Sequence, residues 1–172
     1  MSQLPKLRDL LNDNNSINQH FTEVPVGEIL STLSSVLKDN NSNVIMTTLD
    51  CIKLCLQAYA VDISPYFTML SQSLSSEVFG DSKTAVREAA QTTALALLDD
   101  KASNIGQFIE KVVVLNLRNK SNWRVRSSGL AVFSQVRIGR EERSDSCILS
   151  TTIRNNLQLV ASLLAHTTYL HN

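Results

Sequence analysis

The chain contains few of the residues that make tight turns. Five glycines and three prolines among 172 residues amount to under 5% of the sequence, whereas average proteins contain about 12% of the two together. An all-β domain needs a tight turn roughly every 8–12 residues, and this composition supplies too few of them. The sequence therefore predicts an all-α chain, and its length suits one compact domain or part of a longer array.

The chain also lacks an excess of either charge and lacks long apolar runs. Sixteen Lys and Arg residues balance 16 Asp and Glu residues, which argues against a protein that coats nucleic acid with a generally basic face. No apolar run approaches the roughly 18 residues of a membrane span, and residues 1–15 contain no apolar core of signal-peptide length. We therefore expect an intracellular protein that binds neither nucleic acid nor membrane.

Residues that build metal sites, disulfides or catalytic centres are scarce. Cys51 and Cys55 lie one helical turn apart, Cys147 is alone, and none of the three histidines has a partner at metal-ligand spacing. The sequence contains no GxSxG, P-loop, GxGxxG or HExxH motif. We expect reduced cysteines that serve packing, no metal or other cofactor, and no enzymatic activity.

Apolar residues recur at helical spacing through most of the chain, which predicts six amphipathic helices. Clusters of Asn, Asp and Ser separate them, and such side chains accept hydrogen bonds from the free N–H groups that open a helix. Ser64 followed by Pro65 is a strong start signal, because proline in the first turn loses no hydrogen bond. The predicted helices cover residues 29–37, 45–59, 67–74, 86–97, 105–112 and 125–136.

Three segments of the sequence resemble one another: residues 38–49, 79–90 and 119–130. Aligning Val44, Val86 and Val125 gives spacings of 42 and 39 residues, close to the roughly 40–47 residues of HEAT and armadillo repeats. A single helical hairpin cannot bury its apolar stripe, so such hairpins stack into an α-solenoid with a core between neighbours. The three valines are then predicted to be core residues.

Stacking would bring the equivalent loops of successive repeats into a row along one edge. The aligned loops carry cationic side chains and the only tryptophan in the sequence, and a row of this kind would give a neutral chain a local basic surface. These residues are Lys38, Lys83, Lys120, Arg124 and Trp123.

The repeats resemble the TOG domains of the CLASP family of microtubule regulators. GDSKTAVREAAQ at residues 80–91 is similar to the third-repeat loop and inner helix of that family, and NWRVRSSGL at 122–130 is similar to the fourth. TOG domains are six-repeat, HEAT-like paddles, armadillo-like in their helical packing, that bind αβ-tubulin through the loops of one edge. The resemblance covers residues 24–137 and implies a single domain over 1–172, with about four repeats and divergent or partial repeats at 1–22 and 138–172.

The family's pattern is incomplete at both ends of the chain. Residues 12–18 could form the first-repeat loop, but they contain no aromatic residue, although many TOG domains have a tryptophan there. Residues 138–172 do not resemble the fifth and sixth repeats. Six apolar positions in that segment nevertheless suit one more amphipathic helix: Ile148, Leu149, Ile153, Leu157, Val160 and Leu164.

The resemblance implies a set of tubulin-binding residues in three loops. Trp123 is then either an exposed binding residue or a cap that packs on the next repeat. Arg87 and Arg126 follow the aligned valines and are expected to order their loops, with Asp81 or Glu88 as partners for such an arginine. The predicted contact residues are Trp123, Lys83, Lys120, Arg124, Asn122, Ser82, Lys38 and Asn41, and the predicted loop-ordering residues are Arg87, Arg126 and Asp81.

Three functions remain open at this point. The resemblance favours a non-catalytic domain that binds tubulin or microtubules in the cytoplasm, at the cytoskeleton or mitotic spindle. A general HEAT-repeat adaptor would instead hold another protein in its concave face. A truncated product without independent activity would expose an apolar stripe at residues 157–164, since solenoids need polar caps.

Overall fold

The computed structural model describes residues 3–12, 25–58, 64–98 and 105–141, and all regular structure in these ranges is helical. The prediction of an all-α chain is therefore confirmed for the described part of the sequence. Two helices include π-helical segments, which we count with the helices that contain them. The helices are α1 (Leu4–Asn12), α2 (Val26–Val36), α3 (Ser42–Ala58), α4 (Ser64–Ser73 with the π-helical Leu74–Val78), α5 (Thr84–Leu95), α6 (Ile105–Phe108, the π-helical Ile109–Val114 and Leu115–Leu117) and α7 (Trp123–Glu141).

The helices join in pairs through loops of equal length. Residues 37–41 connect α2 to α3, residues 79–83 connect α4 to α5, and residues 118–122 connect α6 to α7. Loops this short make the two helices of each pair antiparallel neighbours. Each of the three repeats found in the sequence therefore corresponds to the loop and second helix of one pair.

The helix pairs pack side by side. α2 contacts α4, and α4 contacts α6, while α3 contacts α5, and α5 contacts α7. Within each pair, α2 packs on α3, α4 on α5, and α6 on α7. Helix α1 packs against α3, so this short N-terminal helix adds to the row that contains α3, α5 and α7.

Helices α4 and α6 run in the same direction. Near their starts, the rings of Phe67 and Phe108 pack with centroids 6.3 Å apart. Near their ends, Asn116 donates from Nδ2 to the Ser75 hydroxyl at 3.0 Å, and also to the Val112 carbonyl. Because one contact joins the starts of α4 and α6 and the other joins their ends, the two helices lie side by side in parallel. The loops that follow α4 and α6 therefore lie at the same end of the molecule.

One continuous apolar core connects the helices. Val86 and Val125 are buried in it, as the repeat alignment predicts. Val44 is only half-buried, and its neighbour Ile45 lies in the core instead, so the expectation of a core valine is wrong for the first pair. The position after the aligned residue is apolar in α3 and enters the core, whereas it is arginine in α5 and α7.

Two of the cysteines are buried thiols within α3. Burial raises the pKa of Cys51 to about 11 and that of Cys55 to about 12, with a further contribution from the neighbouring Asp50 carboxylate for Cys51 and from Cys51 for Cys55. The Cys51 thiol also lies 3.9 Å from the carbonyl of Leu4 in α1. These cysteines therefore serve the packing of α3.

Some predicted features lie outside the described residues. They include residues 13–18 of the expected first-repeat loop, Cys147, all three histidines and the apolar positions between 148 and 164. Within the ranges that the structure describes, no helix combines the length and the apolar character needed to cross a membrane.

Candidate functional site

Each of the three loops is closed by a side chain that accepts hydrogen bonds from the main chain. Asp39 accepts from the N–H of Asn41 at 2.6 Å, and Asp81 accepts from the N–H of Lys83 at 2.7 Å. In the last loop, Asn119 accepts from Ser121 and from Asn122. Asp and Asn favour such turns because their short side chains reach the main chain two residues on.

Two of the predicted contact residues also cap helices. Asn41 accepts the N–H of Asn43 in the first turn of α3 at 3.0 Å, and Asn122 accepts the N–H of Arg124 in the first turn of α7 at 3.0 Å. Each side-chain oxygen thereby satisfies a donor that the helix itself leaves free. Both asparagines therefore shape the loops, whatever contacts they make with a partner.

Two arginine side chains hold the last two loops in place through hydrogen bonds to main-chain carbonyls. Arg87 donates from Nη1 to the carbonyls of Asp81 at 2.8 Å and Ser82 at 3.0 Å, while its Nη2 donates to the Thr84 hydroxyl. Arg126 donates from Nη1 to the carbonyls of Asn119 and Lys120. Arg87 and Arg126 were expected to pair with a carboxylate, but both donate to main-chain carbonyls instead. Asp81 accepts from Arg87 with its main-chain carbonyl and from the N–H of Lys83 with its carboxylate.

The α4–α5 loop and the α6–α7 loop touch each other. A Cβ atom added at Gly80 would lie 2.5 Å from Nδ2 of Asn122 and 3.2 Å from a methyl group of Val125. Beside them, the buried Ser128 hydroxyl donates to the carbonyl of Phe79 at 3.1 Å and accepts from Gln91 of α5 at 3.3 Å. The loop that carries Lys83 and the loop that precedes Trp123 are therefore adjacent in space.

The α2–α3 loop belongs to the same end of the molecule. Gly27 in the first turn of α2 lies against the Tyr66 ring in the first turn of α4. The Thr93 hydroxyl of α5 lies 3.5 Å from the carbonyl of Leu49 in α3. Each of these contacts joins positions that lie at similar distances from the starts of the two helices, which indicates that the α2–α3 pair runs parallel to the α4–α5 pair. This packing brings Lys38 and Asn41 to the end of the molecule that carries the other two loops.

Trp123 is the most exposed large apolar side chain among the described residues. It is 59% exposed, and Leu115 at 49% is the other large apolar side chain exposed in this part of the chain. The guanidinium carbon of Arg124 lies 5.4 Å from the centroid of the Trp123 ring, within the range of a cation–π interaction. Trp123 therefore begins α7 as an exposed ring stacked with an arginine.

Exposed cationic side chains occur in all three loops. Lys38, Lys83 and Lys120 are exposed and form no ion pair with any residue that the structure describes. Arg118 is a further exposed cation in the α6–α7 loop that the sequence reasoning missed. Its position in the sequence, directly before Asn119 of the aligned loop, was the available signal.

We define the loop edge as the α2–α3, α4–α5 and α6–α7 loops together with Trp123 and Arg124. Its exposed cations can attract acidic groups, and its exposed ring can serve as an aromatic anchor. The described residues contain no group of three or more His, Cys, Asp or Glu side chains that could hold a metal ion. Comparison of the chain with protein-family models, with curated proteins and with solved structures gives no match.

Proposed function

We propose that the chain is a HEAT-like helical solenoid of the TOG type. The support is the combination of a sequence repeat of 42 and 39 residues with three helix pairs that share loops of equal length. Neighbouring pairs also pack helix against equivalent helix, which is how solenoids bury a continuous core. The sequence similarity to CLASP-type TOG domains at residues 80–91 and 122–130 falls on the last two loops and the helices that follow them.

This domain, we propose, binds αβ-tubulin or microtubules through the loop edge and performs no catalysis. The observation that carries the proposal is the exposed Trp123 ring, stacked with Arg124, at the end of a loop that also carries the exposed Lys120. An exposed aromatic among cations is the side-chain type that dominates protein interfaces. The function proposed is recognition in the cytoplasm, at the cytoskeleton, as a regulator of microtubule dynamics.

The alternative of a general adaptor places the partner on the helices of the concave face. That alternative predicts a buried Trp123 and loop lysines that pair with neighbouring carboxylates. Trp123 is instead exposed, and neither Lys83 nor Lys120 forms an ion pair within the described ranges. These observations favour the loop edge as the surface that meets the partner.

Binding to an acidic partner through lysines should depend on salt. The charges of exposed lysines are screened over about 8–10 Å at physiological ionic strength, and they steer encounter more than they add affinity. A sizing column with purified αβ-tubulin at low salt should show a shift in mobility for the wild type, and the shift should decrease as salt rises. A wild type that produces no shift at low salt would contradict the proposal.

Lysine variants test whether binding depends on the loop edge or on charge anywhere on the surface. Replacing Lys83 and Lys120 together by alanine should reduce the shift, because both are exposed in the two touching loops. Lys6→Ala is the matched control, since Lys6 is exposed on α1 and lies outside the loops. Equal effects of the control and the double variant would show only a nonspecific dependence on charge.

A further inference from the structure

We infer that the α4–α5 and α6–α7 loops form one composite binding surface, held in register by the contact between Gly80 and Asn122. The partner is a protein surface whose acidic groups span both loops, so that it meets Lys83 from one loop and Lys120 with Trp123 from the other. The choice of αβ-tubulin as this partner rests on the proposed function. The coupling of the loops rests on geometry alone.

The first step is the absence of a side chain at Gly80. The Nδ2 atom of Asn122 occupies the space that a Cβ at residue 80 would need, at 2.5 Å from its position. Real Cβ contacts are not that short, so any larger residue at position 80 displaces the Asn122 amide. Displacement of a side-chain tip is easy in itself, and its consequence depends on what else that side chain holds.

The second step is the capping role of the Asn122 side chain. Its Oδ1 accepts the N–H of Arg124 at 3.0 Å, while the main-chain N–H of Asn122 donates to Oδ1 of Asn119. Movement of the side-chain amide therefore removes the cap of α7. Arg124 carries the guanidinium that stacks on Trp123, so a change that begins in the α4–α5 loop reaches the Trp123 ring.

The third step is a second link, which joins the α4–α5 loop to α7. The Ser128 hydroxyl donates to the carbonyl of Phe79, the residue before Gly80, and is buried. The same hydroxyl accepts from Gln91, which lies on α5 after Lys83. The α4–α5 loop is thus hydrogen-bonded to α7 at Phe79 and packed against Asn122 at Gly80.

Gly80 and Asn122 are positioning residues in this arrangement. Their test needs a readout that loss of stability alone would not move, and Trp123 provides one because it is the only tryptophan in the chain. Its emission spectrum and its quenching by iodide report on the exposure and the stacking of the ring without any partner. Affinity for αβ-tubulin is then measured separately on the same samples.

The decisive experiment compares Gly80→Ala with the double variant Gly80→Ala, Asn122→Ser. Gly80→Ala should change the emission and quenching of Trp123 and weaken tubulin binding, because loss of the Asn122 cap loosens the first turn of α7, which carries Trp123. Serine caps helices as well as asparagine does but lacks the amide that collides with residue 80. The double variant should therefore regain the wild-type emission and quenching of Trp123, and Asn122→Ser alone should keep them.

Controls separate this coupling from general damage. Gly106→Ala adds the same methyl group where no atom lies within 4 Å, and it should change neither readout. Asn122→Ala breaks the link from the other loop and should reproduce the effect of Gly80→Ala, even if the latter variant folds poorly. Circular dichroism of each variant establishes that it is folded.

Two results would overturn the inference: wild-type emission and affinity in Gly80→Ala, or Trp123 emission in the double variant that is altered as much as in Gly80→Ala. The second result would assign the effect to the Val125 methyl group, which the serine replacement leaves in place. If the wild type fails to bind tubulin, the proposed function fails, and the emission of Trp123 still decides whether the loops are coupled.

Discussion

The contact between the Arg124 guanidinium and the Trp123 ring depends on side-chain conformation, which the sequence does not show. Their adjacency is plain in the sequence, and so is the polar cluster before them. The stacking of the guanidinium on the indole ring at 5.4 Å is a property of the folded loop, because the Asn122 cap fixes the first turn of α7. Sequence reasoning left the exposure of Trp123 open for this reason.

Cys51 and Cys55 give a prediction at the residue scale. Burial raises their pKa values to about 11 and about 12, and only the thiolate reacts with alkylating reagents. In native protein at pH 8, iodoacetamide should leave both thiols unmodified over times at which it modifies them fully in urea. Peptide mass spectrometry distinguishes these sites from Cys147, and rapid labelling of native Cys55 would contradict the assigned burial.

The same pKa values predict a loss of stability in alkali. Unfolded thiols lose their protons near the ordinary pKa of 9.0, whereas the folded thiols keep them up to about 11 and about 12. The unfolded state therefore binds fewer protons above pH 9, and linkage makes the free energy of unfolding fall as pH rises. The thiol contribution is fully present below pH 9, and a Cys51→Ala, Cys55→Ala variant should show a shallower decline in urea unfolding between pH 9 and 11.

At the scale of elements, the positions of the helices followed from the sequence. The period of the apolar residues and the Asn and Asp clusters located α2 to α7, since both signals arise within one element. The packing of α1 on α3, the π-helical segments and the burial of Ile45 in place of Val44 were not predictable. The packing depends on contacts between elements, such as the one between the Cys51 thiol and the carbonyl of Leu4.

Arg126 provides a test of how the loops are held. Its guanidinium donates to two carbonyls of the α6–α7 loop, at 2.8 and 3.3 Å. Arg126→Ala should lower the free energy of unfolding by about 1.5 kcal/mol, the low end for hydrogen bonds made by a charged group, because the site is only part-buried. Urea unfolding followed by circular dichroism measures the change.

The matched control for that variant is Arg118→Ala in the same loop. Arg118 is exposed, and such surface changes usually stay within about 0.5 kcal/mol. Unfolding energies of Arg126→Ala and Arg118→Ala that agree within error would contradict the bracing role. A large effect of Arg118→Ala would mean that this side chain also supports the loop.

At the scale of the whole molecule, the parallel packing of three helix pairs brings residues that are far apart in the sequence onto one surface. The repeat spacing was enough to predict that Lys83, Lys120 and Trp123 belong to equivalent loops. It could not predict that Gly80 fits against Asn122 or that Arg118 adds a cation, because the repeat fixes the location of a loop and not its internal geometry. The part of the site that depends on loop contacts was visible only in the structure.

The central proposal is that this loop edge binds tubulin with Trp123 as its anchor. Removing an anchor of this kind typically costs about 2 kcal/mol or more of binding free energy, which corresponds to a loss of affinity of about 30-fold. Leu115→Ala is the matched control, because Leu115 is the other large apolar side chain exposed in the described ranges and lies outside the loops.

The most direct measurement is a quantitative pull-down of αβ-tubulin by the wild type, Trp123→Ala and Leu115→Ala at low salt. We predict that the wild type and Leu115→Ala retain tubulin equally, and that Trp123→Ala retains about 30-fold less at subsaturating concentrations. Equal retention by Trp123→Ala and the wild type, or no retention by the wild type, would contradict the account.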